Sequence, residues 1–267
     1  MNLRISLIIG IAATLFYYSS ALAQNALLKD TPRRLQAPWI LNDNTHFLAL
    51  GDSLTAGYGA FPVTQGYAYL LYRDGVYDRV ANTSFANAVM PGATSGELLN
   101  FEAPLAAKSG FLAQPPAGVV SKAPSRVVVM TIGGNDLLEL LTLPNPTDND
   151  AIKLKISTFA SNLSASLTQL CTLTNIRIYI GNLYDIQSFP IPIKLVVGEF
   201  NGALQKVVDA LNVSLCPGNV KVADVYSQFL GDQRALLLIN RPGADKFEVH
   251  PSDAGHRAIE RAFILAK

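Results

Sequence analysis

The sequence predicts an α/β fold, namely a three-layer α/β/α sandwich around a central parallel sheet of about five strands. Short apolar runs rich in β-branched residues alternate along the chain with longer segments whose apolar residues recur every three or four positions. Strands that alternate with helices in this way form a parallel sheet covered by helices on both faces. The chain has 267 residues, of which 49% are hydrophobic. This length and composition suit one large domain with a single core.

Five segments are predicted to form the strands, because each is apolar and of strand length. They are residues 45–50, 79–87, 126–132, 176–183 and 220–225. The third segment is apolar on both faces over residues 127–130, as a strand in the middle of a parallel sheet would be. Ligands of such sheets bind at the carboxyl ends of the strands. The residues that follow each strand are therefore the first candidates for function.

Three amphipathic helices are predicted between and after these strands. In residues 151–171 the apolar side chains form one stripe, made of Ile152, Ile156, Phe159, Leu163, Leu167 and Leu170. A second stripe covers residues 197–211, and a last helix is expected over about residues 253–266, with Asp253 in its first turn. Residues 102–125 are rich in Pro, Ala and Gly and are predicted to form a surface loop.

Residues 1–23 have the pattern of a secretory signal peptide. Arg4 gives the positive end, residues 5–18 are almost wholly apolar, and Ala21-Leu22-Ala23 is a small-x-small cleavage site. The apolar run is too short for a stop-transfer helix, and a retained N-terminal anchor is the alternative. Residues 24–44 are expected to form a polar lead-in and residues 45–267 the folded domain. We expect a secreted or periplasmic protein whose mature chain has no membrane span.

Charge and cysteine content narrow the classes of partner and compartment. The formal net charge is +1 and no block of like charge occurs, so we expect no nucleic-acid partner. The two cysteines, Cys171 and Cys216, fall at helix-end positions. In an oxidising compartment they would form one disulfide, and two buried free thiols are the alternative. Neither lies in a motif with a nearby histidine, which argues against a catalytic cysteine.

Three strand ends carry residues that can supply a nucleophile and hydrogen-bond donors. Ser53 follows the first strand at a turn into a helix, where a hydroxyl is exposed and a backbone N–H is free. Gly92 follows the second strand, where glycine lets the backbone approach a ligand. Asn135 follows two glycines after the third strand and offers an amide donor. Taken alone, each of these three residues could instead be a helix cap or part of a tight turn.

A histidine base is expected close to the C-terminus. Of the three histidines in the chain, His250 and His256 lie in the run His-Pro-Ser-Asp-Ala-Gly-His. His250 precedes a proline and therefore lies on a loop, where it can act as a base near neutral pH. His256 falls about one turn inside the last helix and is expected to be structural.

Taken in order along the chain, these motifs resemble the SGNH, or GDSL, family of serine esterases and lipases. The matching residues are Gly51-Asp52-Ser53-Leu54, Gly92, Gly133-x-Asn135-Asp136 and His250-Pro251. The Gly-x-Ser-x-Gly elbow of the common α/β-hydrolases is absent. The resemblance spans about residues 45–266, and it implies a flavodoxin-like hydrolase domain.

The resemblance also implies a mechanism. Ser53 and His250 would be the catalytic residues, and the Ser53 N–H, the Gly92 N–H and the Asn135 side chain would form the oxyanion hole. No metal or organic cofactor is implied. The family commonly places an aspartate three residues before the base, where this chain has Phe247. Glu248, Asp245 or a backbone carbonyl would orient the imidazole instead, and Glu248 is the favoured candidate.

The substrate is predicted only by class, as a small-molecule or lipid ester of a carboxylic acid. Two apolar segments, residues 189–193 and 236–239, would form an apolar wall for an acyl chain if they lie beside the site. Packing of residues 236–239 on the sheet is the alternative. A deacetylase of O-acetylated polysaccharide is the second candidate function. The third is a catalytically silent carbohydrate- or lipid-binding protein on the same fold.

Overall fold

The structure, a computed structural model, describes residues 46–77, 84–108, 125–186, 191–240 and 248–267. The predicted signal peptide and lead-in lie outside these residues, as do Asp245 and Phe247. No helix in the described ranges combines the length and the apolar content needed to cross a membrane.

In the described chain the central sheet has five strands, all parallel, in the order β2-β1-β3-β4-β5. The strands are β1 (His46–Gly51), β2 (Ser84–Asn87), β3 (Arg126–Thr131), β4 (Ile176–Gly181) and β5 (Val220–Ala223). Each coincides with one predicted segment to within a few residues. The α/β class and the parallel sheet are therefore confirmed.

The helices surround this sheet. They are α1 (Tyr67–Arg73), α2 (Ser95–Glu97), α3 (Ala103–Lys108), α4 (Gly134–Leu140), α5 (Asn149–Cys171), α6 (Ile191–Ser214), α7 (Val225–Gln228) and α8 (Asp253–Leu265). A π-helical turn, Leu98–Glu102, joins α2 to α3. The long helices α5, α6 and α8 are the three predicted from the apolar stripes. Asp148 begins α5 by accepting hydrogen bonds from the N–H groups of Asp150 and Ala151.

Two sequence expectations about loops were wrong for the residues that the structure describes; residues 109–124 of the first segment and 189–190 of the second lie outside them. The stretch 102–125 begins with helix α3, because the Ala-rich segment Ala103–Lys108 has high helix propensity. Likewise, the apolar run 189–193 is not a loop throughout, since α6 begins at Ile191. An apolar run of this length does not distinguish a loop from the first turn of a buried helix.

Alternating side chains of the strands fill two separate cores. Even-numbered residues of β1 and β3 face a core that α5 and α6 cover, and odd-numbered residues face the core beneath α1 and α8. In the first core the rings of Phe159 and Phe200 lie 5.1 Å apart. In the second core the rings of Tyr67 and Phe263 lie 4.8 Å apart. Burial of each such side chain contributes roughly 1.5–3 kcal/mol. Both faces of the sheet are thereby covered, as predicted.

The predicted disulfide is formed. Cys171 at the end of α5 is bonded to Cys216 just beyond α6, with 5.7 Å between the Cα atoms. The bond connects the two helices that cover the same face of the sheet.

The strand order places a crevice between β1 and β3. The chain passes from β1 outward to β2, then returns to the other side of β1 for β3. In doubly wound sheets, ligands bind at the carboxyl ends of the strands at such a reversal. β1 leads directly to Ser53, and β3 leads directly to Asn135.

Candidate active site

Ser53 lies in a series of tight turns that immediately follows β1; the helix expected to begin here does not form, because the next α-helix, α1, begins at Tyr67. Gly51 has φ +101°, and a Cβ atom there would lie 2.1 Å from the carbonyl oxygen of Thr131, so only glycine fits. The Asp52 N–H donates to that Thr131 oxygen at 3.1 Å, and the Tyr58 N–H donates to the Ser53 carbonyl at 3.0 Å. These contacts hold the turn against the end of β3. The serine hydroxyl is left at the partly exposed surface of the crevice.

The buried Asp52 side chain stabilises this turn by accepting hydrogen bonds. Its Oδ1 accepts hydrogen bonds from the Leu54 N–H at 3.0 Å and from the Thr131 hydroxyl at 2.7 Å. The Thr55 hydroxyl bonds in turn to Thr131 at 2.8 Å and to Tyr67 at 2.7 Å. Burial raises the pKa of Asp52 to about 6, although the hydrogen bonds it accepts oppose that rise. The carboxyl group thus supports the nucleophile turn and is not exposed to substrate.

A second buried carboxyl group, Glu102, lies against the same turn. Its Oε2 accepts a hydrogen bond from the Gly51 N–H at 2.5 Å. Its Oε1 is buried with no hydrogen-bond partner in the described structure. Burial raises the pKa of Glu102 to about 8, and the nearby Asp52 charge acts in the same direction.

His250 connects the nucleophile to a carboxylate. Its Nε2 lies 2.9 Å from Ser53 Oγ, and its Nδ1 lies 2.5 Å from Glu248 Oε1. A carboxylate only accepts hydrogen bonds, so Nδ1 carries the proton and Nε2 is left to accept the serine hydroxyl. Glu248 Oε1 also accepts the backbone N–H of His250 at 2.9 Å. The hydrogen bond from His250 lowers the pKa of Glu248, so this carboxyl group is ionised at neutral pH.

The loop that carries His250 is fixed by backbone pairing. The Leu238 N–H donates to the His250 carbonyl at 2.9 Å, and the Ser252 N–H donates to the Leu236 carbonyl at 2.8 Å. The ring of Tyr58 packs on the imidazole with 5.0 Å between ring centres. Of the run 236–239, Leu237 is buried in the core beneath α1 and α8. This segment therefore supports the base and packs on the sheet, as the alternative interpretation held.

His256 lies in the core beneath the nucleophile turn. Its Nδ1 accepts the Tyr67 N–H at 3.3 Å, and its Nε2–H donates to the Tyr58 carbonyl at 2.7 Å. Burial lowers the pKa of His256 to about 4, so the ring is neutral at physiological pH. This position agrees with the structural role expected for it.

Two further hydrogen-bond donors lie on the segments that follow β2 and β3. Asn135, in the first turn of α4, donates one amide hydrogen to the Ala93 carbonyl at 2.8 Å and keeps the other for a ligand. Gly92 is exposed, has φ +86°, and a Cβ there would meet nothing within 4 Å. Within the described ranges, neither the Gly92 N–H nor the Ser53 N–H donates to a protein acceptor. Each of the three residues thus has a hydrogen-bond donor without a described protein acceptor, and Asn135 lines the same pocket as Ser53.

A buried contact joins the segments that carry these donors. Asp136 accepts hydrogen bonds from the Ser95 N–H at 2.8 Å and from the Ser95 hydroxyl at 2.7 Å. Asn162 of α5 donates to the same hydroxyl at 3.1 Å. The turn after β2 and the start of α4 are therefore held in fixed relation.

An apolar pocket of about 670 Å³, counting its open mouth, adjoins Ser53 and Asn135. Its apolar walls come from the ends of β4 and β5, from α4 and α6, and from the loop of the base. They comprise Leu54, Leu137, Leu138, Leu183, Tyr184, Ile186, Val197, Val225 and Val249. Residues 236–239, which the sequence suggested as a wall, do not line it.

The structure brings together Ser53, His250 and Glu248 and places Asn135 in the same pocket as Ser53, while Gly92 lies in the turn that follows β2. Sequence reasoning missed Glu102 and the supporting position of Asp52. A glutamate within an apolar stretch of a helix was the only local sign of Glu102. Asp52 was visible in the Gly-Asp-Ser-Leu motif, but its burial was not.

Comparison with known proteins agrees with this geometry. Residues 49–258 match the model of the GDSL-like Lipase/Acylhydrolase family. The chain is 26% identical to the spore germination lipase LipC of Bacillus licheniformis over 227 residues, which is 82% of this chain and 95% of the relative. Its fold resembles that of a lipase from a goat rumen metagenome, with a TM-score of 0.59, 23% identity and coverage of 83% and 97% of the two chains. An acetylxylan esterase from Geobacillus stearothermophilus has a TM-score of 0.56 at 19% identity, over 85% of this chain and 95% of that one.

Proposed function

The chain belongs to the GDSL-like lipase/acylhydrolase family and is a carboxylic ester hydrolase, and on this premise we propose that Ser53 is its nucleophile, His250 its general base and Glu248 the residue that orients the base. The observation that carries this assignment is the continuous chain of hydrogen bonds from Ser53 Oγ through the imidazole to Glu248 Oε1. The lowered pKa of Glu248 keeps its carboxylate as the acceptor for the imidazole, as the proposed mechanism requires.

The first half of the reaction forms an acyl-enzyme. Ser53 Oγ attacks the ester carbonyl carbon while its proton passes to His250 Nε2. The tetrahedral intermediate then collapses, the carbon–oxygen bond to the alcohol breaks, and the imidazolium returns the proton to the leaving oxygen. Glu248 stabilises the imidazolium through Nδ1–H and keeps the ring in the productive tautomer.

The second half repeats these steps with water. His250 removes a proton from water, the resulting hydroxide attacks the acyl carbon, and Ser53 leaves with a proton from the imidazolium. The products are a carboxylic acid and the free enzyme.

The oxyanion of both intermediates would be bound by three donors, the Ser53 N–H, the Gly92 N–H and the Asn135 amide. All three have a hydrogen that no described protein group accepts. Loss of one such donor typically costs about 3–4 kcal/mol of transition-state stabilisation. The contact from Asn135 to the Ala93 carbonyl fixes the direction of that amide before substrate arrives.

Covalent labelling tests the nucleophile directly. A fluorophosphonate probe reacts only with an activated serine, so the folded wild-type protein should gain one label, on the peptide that contains Ser53. Replacing His250 with Ala should slow labelling strongly, since the base that activates the hydroxyl is lost. As a control, Ser214→Ala removes an exposed serine hydroxyl at the end of α6 and should label like the wild type. Labelling of a different serine in the wild type would refute the assignment.

A secreted or periplasmic location is also proposed. The signal-peptide pattern of residues 1–23 supports it, and so does a disulfide between Cys171 and Cys216, a bond that persists in oxidising compartments. Expression of the full-length gene in a bacterial host should give an extracytoplasmic protein whose N-terminal residue is Gln24. A cytoplasmic protein that keeps Met1 would contradict this proposal.

A further inference from the structure

The polar side chains that line the pocket beside Ser53 each form at least one hydrogen bond within the protein. Asp52 and Thr131 are bonded to each other, and the Tyr184 hydroxyl donates to the Val249 carbonyl at 2.5 Å. The Asn182 amide donates to Asp224 at 3.0 Å, while its oxygen accepts the Tyr226 N–H at 2.7 Å. Among the described residues that line this pocket, the amides of Asn182 and Asn135 each keep one hydrogen, and the remaining lining is apolar or bonded within the protein.

Such walls suit one kind of occupant. A sugar hydroxyl placed against the nine apolar side chains of the pocket would lose its hydrogen bonds to water and gain none from them, which costs free energy. A hydrocarbon chain has no hydrogen bonds to lose, and its transfer from water to the pocket is favourable because apolar surface is buried. The chemistry of the pocket therefore favours an alkyl group over a carbohydrate.

The position of His250 shows which part of the ester enters. The leaving alcohol must lie beside Nε2, because that atom returns a proton to it. The pocket is lined by Ser53 and Asn135, but the His250 side chain is not part of its lining. The pocket thus extends from the reacting carbonyl on the side away from the leaving group, which is where the acyl chain lies.

We propose that this pocket binds the acyl chain of the ester, that its preferred substrates carry acyl chains longer than acetyl, and that Val197 limits their length. This inference rests on the proposed function of Ser53 and His250. Val197 is buried on α6, and its side chain forms part of the pocket wall. A polysaccharide deacetylase would leave most of this pocket empty.

Val207 provides a matched control on the same helix. It is partly buried against the same core as Val197, but it lies on a different groove between α5 and α6. Substitutions of Val207 therefore change the volume of a core valine on α6 without entering the pocket.

The test compares two ester series in the wild type and in four variants. The variants are Val197→Phe, Val197→Ala, Val207→Phe and Val207→Ala. One series varies the acyl chain, as p-nitrophenyl esters from acetate to dodecanoate. The other varies the alcohol, as alkyl acetates from ethyl to octyl, followed by titration of released acid. Circular dichroism checks that each variant is folded.

The wild type should show kcat/KM rising about three- to fourfold for each methylene added to the acyl chain, until the pocket is full. Val197→Phe should lower kcat/KM for the longer acyl esters by about tenfold or more and change the acetate value by less than about threefold. Val197→Ala should shift the optimum to longer chains. Neither Val197 variant should change kcat/KM for the esters that differ in the alcohol. Both Val207 variants should keep the wild-type dependence of kcat/KM on acyl-chain length. If Val197→Phe does not fold, the acyl-chain optimum of Val197→Ala tests the inference.

Three results would overturn the inference while leaving the proposed function intact. The first is a wild-type optimum at acetate, and the second is an acyl profile that does not change in folded Val197 variants. The third is a change confined to the alcohol series, which would assign the pocket to the leaving group. Absence of hydrolysis of every ester by the folded wild type would instead remove the proposed function, and the inference with it.

Discussion

At the scale of single residues, the base of the site depends on a carboxylate that it contacts twice. Glu248 Oε1 accepts both the Nδ1–H and the backbone N–H of His250, two residues further along the chain. The short separation means that the loop conformation itself places the carboxylate at the ring. The family commonly has an aspartate three residues before the base. In this chain the carboxylate at the imidazole belongs to a glutamate, which has a longer side chain and lies only two residues before His250.

Replacement of Glu248 by Gln should lower kcat by about 10²–10⁴-fold, with little change in KM. The amide nitrogen of Gln can donate to Nδ1 and so favour the wrong tautomer, and no negative charge remains to stabilise the imidazolium. Steady-state kinetics on a p-nitrophenyl ester measures this effect. Glu199→Gln, an exposed change on α6, is the matched control. A Glu248→Gln variant with kcat within about threefold of the wild type would show that another group orients the base.

Glu102 predicts a pH dependence of stability. Its pKa is about 8 in the folded protein and 4.5 as the ordinary value, so folding favours the protonated form. Above pH 4.5 the unfolded chain releases this proton while the folded protein keeps it, and the stability contributed by Glu102 falls with rising pH until about pH 8. Gln does not titrate and keeps the acceptor for the Gly51 N–H.

The free energy of unfolding of Glu102→Gln should therefore exceed that of the wild type by an amount that grows between pH 5 and pH 9, to on the order of 2–4 kcal/mol. Urea unfolding at three pH values measures this difference, and Glu199→Gln again serves as control. A difference that is constant with pH would mean that Glu102 is ionised in the folded protein at neutral pH.

The sequence predicts most of the proposed site residues for a definite reason. Ser53, Gly92, Asn135 and His250 each follow a strand or precede a helix, where local sequence determines the backbone. Glu102 could not be found in this way. It meets Gly51 across 51 positions of sequence, and only the tertiary packing of the π-helical turn against β1 brings them together.

At the scale of elements, the ends of β1 and β3 position the chemistry and the disulfide fastens the helices that cover them. The strands were predictable because β-branched runs of strand length are bounded by turn residues. The shorter helices α1, α2, α3, α4 and α7 are not among the three that the sequence predicts, since a helix of two turns or fewer shows no apolar period. The run 236–239 could not be assigned to a cleft or a core from its composition, because both are apolar.

Removal of the disulfide should destabilise the protein without disabling the site. The bond spans 45 positions, and closing a loop of that length in the unfolded chain is worth about 4 kcal/mol in the chain-entropy model, with typical measured values of 2–4 kcal/mol. The double variant Cys171→Ser with Cys216→Ser should lose free energy of unfolding in that range and keep its kcat at 25 °C. Urea unfolding with and without dithiothreitol provides the comparison. If reductant leaves the wild-type midpoint unchanged, the bond contributes nothing to stability.

At the scale of the whole molecule, the active site is a product of the complete fold. The nucleophile and the base are separated by 197 positions of sequence, and they meet because β1 lies inside the sheet while α8 packs back on it beside α1. The fold class could be predicted because the alternation of strands and helices extends along the entire domain. The pocket could not, because its walls come from six separate segments whose juxtaposition depends on the register of β4 and β5 against β3.

The central claim is that this hydrogen-bonded chain of Ser53, His250 and Glu248 hydrolyses esters. The most direct test is the kcat/KM of purified wild type and Ser53→Ala for p-nitrophenyl butanoate, with both proteins shown to be folded. We predict that the wild type hydrolyses the ester and that the variant loses at least about 10⁴-fold of that activity, because the acyl-enzyme cannot form. Retention of substantial activity by folded Ser53→Ala would contradict the account and move the nucleophile elsewhere in the chain.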